Sequence, residues 1–142
     1  MRAQETIERL KEEKITFSRI SALMGNFIAI YTVDPDSGNY MQYSAAENYS
    51  RLGTSRAGID FFSDSKEEIK SIIHPDDLEY FLSVFSKEKI IDRTRAGRIY
   101  KISYRLILNE EPVRVNLRAS LVQEQDGPQL IVGVNVSSDY DR

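Results

Sequence analysis

The sequence predicts an α+β fold: a five-stranded antiparallel sheet with short helices gathered on one face, preceded by an amphipathic helix. Three observations carry that expectation. From position 100 to 121 apolar and polar residues alternate with period two, and from 3 to 24 apolar residues recur at three- and four-residue steps. The stretch between is cut into short pieces by turn and capping residues. At 142 residues and 41% hydrophobic content, the chain has the length of one domain with one core.

Residues 1–25 read as the helix. Ala3, Ile7, Leu10, Phe17, Ile20 and Met24 make a narrow stripe broken once by Lys14, and Gly25 stands where a stop is expected. At 1.5 Å per residue it would be about 36 Å long. Such a stripe can fold back on its own domain or form a seam with a second copy. The seven-residue spacing of Ala3, Leu10, Phe17 and Met24 favours the seam, with Ile7 beside them, and therefore a homodimer.

After Gly25 the period changes to two. Residues 27–33 predict a strand, Asp34-Pro35-Asp36-Ser37-Gly38 a turn, and residues 39–43 the second arm of a hairpin. Asp34 and Asp36 do not make a calcium loop, because the Gly comes one position early and no Glu closes it. Ser44-Ala45-Ala46-Glu47 has a capping-box form and predicts a short helix stopped at Gly53. A second box, Ser65-Lys66-Glu67-Glu68, predicts a helix carrying Ile69, Ile72 and Ile73. Between them, Gly58-Ile59-Asp60-Phe61-Phe62 must bury its aromatics. His74-Pro75-Asp76-Asp77 opens a further helix with Leu78, Phe81, Leu82 and Phe85 on its buried face. From Gly97 the chain reads as all strand, with turns near Asn109-Glu110-Glu111 and Asp126-Gly127. The apolar strand 130–136 is expected near the sheet centre.

Composition excludes many activities. With no Cys there is no disulfide, thiol nucleophile or Cys-ligated zinc, and the single His74 rules out a His-rich metal site. There is no Gly-x-Ser-x-Gly elbow and no phosphate-binding glycine pattern. The carboxylate pairs Asp76–Asp77, Glu110–Glu111 and Glu67–Glu68 sit where a cap, a turn or a solvated helix explains them. The segment is therefore expected not to be an enzyme and to hold no metal. A formal charge of −3 gives no global pull toward nucleic acid or an anionic membrane. Charges scattered over residues 1–19 leave no signal-peptide core, and the uncharged run 20–33 is too short to span a bilayer, so a cytoplasmic location is expected.

Two constellations remain. Lys101, Arg105, Arg114 and Arg118 point to one side of the two longest strands. They make an ordinary solvated face or one that receives Glu5, Glu8, Glu12 and Glu13 of the first helix. No exposed aromatics interleave with them as a single-strand nucleic-acid platform would need. On the opposite face the aromatics meet between sheet and helices, as a plain core or as a cavity lined by phenol hydroxyls. The candidate pocket residues are Tyr43, Phe61, Phe85, Tyr104 and Leu117, and the expected occupant is a small organic molecule with no metal.

The order of elements, Ile73-His74-Pro75-Asp76-Asp77 at a helix start, and the closing Leu130-Ile131-Val132-Gly133-Val134-Asn135-Val136 together resemble a PAS sensor domain. Tyr43-Ser44-Ala45-Ala46-Glu47-Asn48-Tyr49-Ser50-Arg51-Leu52-Gly53 and Gly58-Ile59-Asp60-Phe61-Phe62 resemble the PAS domains found upstream of GGDEF diguanylate cyclases in bacteria. The resemblance covers residues 26–137. It implies a five-stranded antiparallel sheet, a ligand cleft under the helices, and regulation of an attached output domain. It divides the chain into the helix 1–25, a sensor domain 26–138, and residues 139–142 as the start of a linker to the output domain. Asp139 falls at the junction where PAS domains often carry an acid, and it reads equally well as the N-cap of a following helix. Without Cys the flavin adduct of light-sensing members is impossible, and His74 matches the helix-opening motif rather than a haem ligand. The alternative reading is a stand-alone small α+β ligand-binding protein or isomerase-like enzyme. No carboxylate on the buried alternation of the last three strands supports that alternative.

Overall fold

The computed structural model describes residues 27–45 and 52–137, with backbone alone at 27, 44–45 and 52–55. The expected helix 1–25 with its seam residues Ala3, Ile7, Leu10, Phe17 and Met24 lies outside the described residues. So do Asp139 and the expected helical turn over 46–51.

Among the described residues six strands and three helices follow in the order β1 (Phe27–Val33), β2 (Tyr40–Ala45), β3 (Leu52–Gly58), α1 (Phe61–Ile72), α2 (Pro75–Val84), α3 (Lys87–Arg95), β4 (Tyr100–Leu108), β5 (Glu111–Glu124) and β6 (Gly127–Val136). The strands form one antiparallel sheet in the order β3-β2-β1-β6-β5-β4. The last strand lies beside the first, at the sheet centre as expected for residues 130–136. Their pairing runs from Val33↔Leu130 to Phe27↔Asn135, with a bulge at Ile28 that re-aims that residue. Buried side chains of all three helices join the residues of one sheet face in a single core, so the helices do gather on one side.

The sheet has six strands rather than five. Residues 44–45, expected to open a helix, continue β2, and Leu52–Gly58 pairs along it from Tyr40↔Gly58 to Ala45↔Leu52. This strand carries no alternating apolar residues, so its place comes from the backbone ladder at a sheet edge and not from a buried side-chain row. One contact reinforces the pairing. A Cβ on Gly58 would stand 2.3 Å from the Tyr40 ring, so the ring lies directly over the glycine backbone and only Gly fits there. The Tyr40 hydroxyl then donates to Asp64 Oδ2 at 2.8 Å, tying β2 to α1.

One helix boundary and one whole helix differ from expectation. α1 begins four residues before Ser65: Asp60 is the N-cap, its Oδ1 accepting from the Ser63 amide at 3.2 Å, which brings Phe61 and Phe62 into the first turn and buries both. α3 falls in a segment with no expected element. Ser86 caps it by accepting from the Lys89 amide at 3.1 Å, and Ile90, Ile91 and Thr94 are its buried side. Two adjacent apolar residues among nine give too little periodicity to mark a helix. By contrast α2 starts where His74-Pro75 predicts, and the hairpin after β4 turns on Asn109 and Glu110, both with positive φ (53° and 67°), the signature of a two-residue hairpin turn.

The ladders also fix which residues share a face. Lys101 opposes Arg118 and Arg105 opposes Arg114, so the four basic residues do lie together on the outer face.

Candidate functional site

Between α1 and the inner face of the sheet lies a cavity of about 80 Å³. Its floor is a lateral row of modest side chains, Ala29 on β1, Val134 on β6 and Leu117 on β5, which the registers place directly side by side. Its roof is one face of α1: Phe61, Ser65, Glu68, Ile69 and Ile72 follow one another at helical spacing. The short floor side chains and the long span of α1 leave the gap that larger residues would fill.

Aromatic rings run around the gap as an arc. Tyr31 packs on Phe61 with centroids 4.9 Å apart, Phe61 on Phe85 at 5.8 Å, Phe85 stacks on Phe81 at 5.0 Å, and Phe81 meets Tyr104 edge-on at 4.8 Å. All five rings line the cavity, with a phenol at each end of the arc. Burial is the main cause that pushes the Tyr31 hydroxyl up to about 12, with the Glu68 carboxylate adding to it and Arg56 opposing it. Burial likewise pushes Tyr104 well above the ordinary phenol range. Both are therefore neutral at pH 7. The one carboxylate in the lining, Glu68, accepts from Arg56 Nη2 of β3.

The start of α2 fixes the Tyr104 end. Asp77 takes the Arg105 guanidinium in a fork, Nε to Oδ2 at 2.9 Å and Nη2 to Oδ1 at 2.8 Å, and also accepts from the Arg105 amide at 2.8 Å. The His74 amide donates to the Arg105 carbonyl at 2.9 Å. The guanidinium holds the Asp77 carboxyl below the usual carboxylate range. The His-Pro-Asp-Asp stretch thus clamps α2 to β4 next to Tyr104, and His74 itself caps the helix, its Nδ1 accepting from the Asp76 amide at 3.1 Å. Among the described residues no group of three or more His, Cys, Asp or Glu is placed to hold a metal ion, and no helix is long and apolar enough to cross a membrane.

Of the residues expected at the pocket, Phe61, Phe85, Tyr104 and Leu117 come together around this cavity, and Tyr43 does not. Tyr43 is buried, but it pairs with Ile30 on the outer face; the hairpin register Val33↔Tyr40 sends Tyr40 and Gln42 inward instead. Sequence reasoning missed Tyr31 as a site residue, and it placed Phe81 on the buried face of α2 without singling it out for the pocket. Tyr31 shares the parity of Ala29 and Val33, a signal present in the sequence once the inward face of β1 is known.

No protein-family model matches the chain, and comparison with curated proteins found no match. Among solved structures it is similar to a sensory box histidine kinase/response regulator from Burkholderia thailandensis E264, at 14% identity and a TM-score of 0.44, covering 85% of this chain and 86% of that one. It is also similar to an RNA-binding light-oxygen-voltage receptor, at 13% identity and a TM-score of 0.44, covering 80% of this chain and 32% of that one. These are similarities of shape, and neither assigns a ligand or an output to this chain.

Proposed function

We propose that the chain is a signal-sensing PAS-type module of a bacterial signal-transduction protein. It works in the cytoplasm, pairs with a second copy through residues 1–24, and controls an attached diguanylate cyclase (GGDEF) output domain. One observation carries the sensing part. β1 and β6 are neighbours whose ends meet at Phe27↔Asn135, and the same two strands supply Ala29, Tyr31 and Val134 to the cavity. A molecule in the cleft therefore touches the strand by which the chain enters the described body and the strand by which it leaves. A differential affinity of about 1–3 kcal/mol between two arrangements of these strands is enough to bias an attached domain.

Light scattering tests the pairing. The intact chain is expected to be dimeric at tens of micromolar (an order-of-magnitude working concentration). Leu10→Glu and Phe17→Glu should weaken it more than Glu8→Gln, and a monomeric intact chain contradicts the seam. In the protein carrying its output domain, Asp139→Ala should alter output activity while the sensor stays folded; unaltered regulation removes Asp139 from the mechanism.

A further inference from the structure

Four phenols of the inner face, on three strands, divide into two kinds. Tyr40 and Tyr100 do not line the cavity, and each hydroxyl is satisfied within the protein: Tyr40 donates to Asp64 at 2.8 Å, and Tyr100 donates to the Val84 carbonyl at 2.6 Å. Tyr31 and Tyr104 line the cavity, and neither hydroxyl has a hydrogen-bond partner among the described residues. Tyr104 is only 3% exposed. Among the described residues the fully buried side-chain atoms without a partner are Asn116 Nδ2 and Asn135 Oδ1, so the Tyr31 and Tyr104 hydroxyls keep accessible surface, and a molecule in the cavity can supply the bond that the protein does not.

The remaining lining narrows what that is. Most of it is aromatic and aliphatic carbon, which penalises a charge brought out of water. Glu68 and Arg56 balance one another in a half-exposed ion pair, so the opening offers neither an unpaired anion to a cation nor an unpaired cation to an anion. At roughly 10–15 Å³ per water-sized site, the volume admits a molecule of about six non-hydrogen atoms.

We propose that the cavity takes a neutral, mostly apolar organic molecule of that size, carrying one hydroxyl or carbonyl oxygen that accepts a hydrogen bond from Tyr104. This rests on the reading of the cleft as a ligand site and names the ligand class.

The test is an NMR titration of the full chain with four probes of similar size: cyclopentanone, benzene, butyrate and butylammonium. Cyclopentanone is expected to shift the amides of Ala29, Leu117 and Val134 at concentrations where butyrate and butylammonium do not. Tyr104→Phe should weaken cyclopentanone about three- to tenfold, the worth of one neutral hydrogen bond, and leave benzene unchanged. Tyr100→Phe, which removes a hydroxyl already bonded to Val84, should leave cyclopentanone affinity as it was. Charged probes binding as tightly as cyclopentanone, or an unchanged cyclopentanone affinity in Tyr104→Phe, overturns the ligand class while the cleft reading stands. If no probe, benzene included, shifts the inner-face amides, both fall. The comparison of probes on the unaltered chain holds whether or not a variant folds.

Discussion

On β5, Leu117 sits between Val134 and Ile102 under the helices, while the next residue, Arg118, sits between Gly133 and Lys101 on the other side of the sheet. One step along the strand separates a cavity floor from a basic ladder. On the inner face the energetics are those of apolar burial, and local packing decides where the protein is solid and where it is hollow. On the outer face like charges stand opposite one another twice, Lys101 with Arg118 and Arg105 with Arg114, an arrangement that costs stability in an antiparallel pair. Asp77 relieves only the Arg105 pair. The inner face is thus built around its void, while the outer face carries unbalanced charge on β4 and β5 beside the buried Ile30, Tyr43, Asn116 and Asn135.

Truncations should show the largest contrast. Phe85→Ala removes a fully buried ring from the middle of the aromatic arc and is expected to cost about 3–5 kcal/mol in urea unfolding. Arg118→Ala on the outer face should stay within about 0.5 kcal/mol. Equal losses would erase the distinction between the faces.

A smaller effect is expected at the clamp that ties the faces together. Asp77→Asn keeps the shape and removes the charge that holds Arg105, so the unfolding midpoint at neutral pH should fall. Because the folded Asp77 pKa is depressed, its contribution is present above the unfolded carboxyl value, about 4, and is lost as pH falls through the folded value. The gap between wild type and Asp77→Asn should therefore be constant above about pH 4 and close below it. A gap that widens in acid contradicts the clamp.

The alkaline side sharpens the inner face alone. Tyr31 and Tyr40 are pushed up to about 12, and Tyr104 is raised as well, all by burial first. Stabilisation from a raised phenol is complete below the unfolded value, about 10, and is lost as pH climbs toward the folded one. Ultraviolet titration should show these phenols ionising above the ordinary range, together with falling stability. Ordinary titration of every phenol would mean the cavity walls are wet.

The smallest effect belongs to the outer ladder. Arg118→Glu turns an opposed like pair into an attractive one and should stabilise by about 0.2–1 kcal/mol, less at high salt.

Much of this contrast was legible in the sequence. The alternation of residues 100–121 placed Tyr104 and Leu117 inward and the four basic residues outward, because a strand with one buried face writes that face into every second residue. His74-Pro75 located α2 because a proline at the first helical turn is a local signal. What failed was non-local. β3 has no side-chain pattern of its own and is held by the β2 backbone, and α3 buries only one short stretch. The parity of Tyr43 depends on the register of the first hairpin, which turn composition alone did not set. The cavity is less legible still, since it arises from where α1 stands above small floor residues, a distance no sequence period encodes.

The most direct test of the central claim is a high-resolution crystal structure of the protein as purified, paired with native mass spectrometry. The account predicts density for a small organic molecule above Ala29, Val134 and Leu117, within bonding distance of the Tyr104 hydroxyl, and a matching mass lost on unfolding. A gap closed by repacked side chains, or stoichiometric metal, flavin or haem in the purified protein, would contradict it.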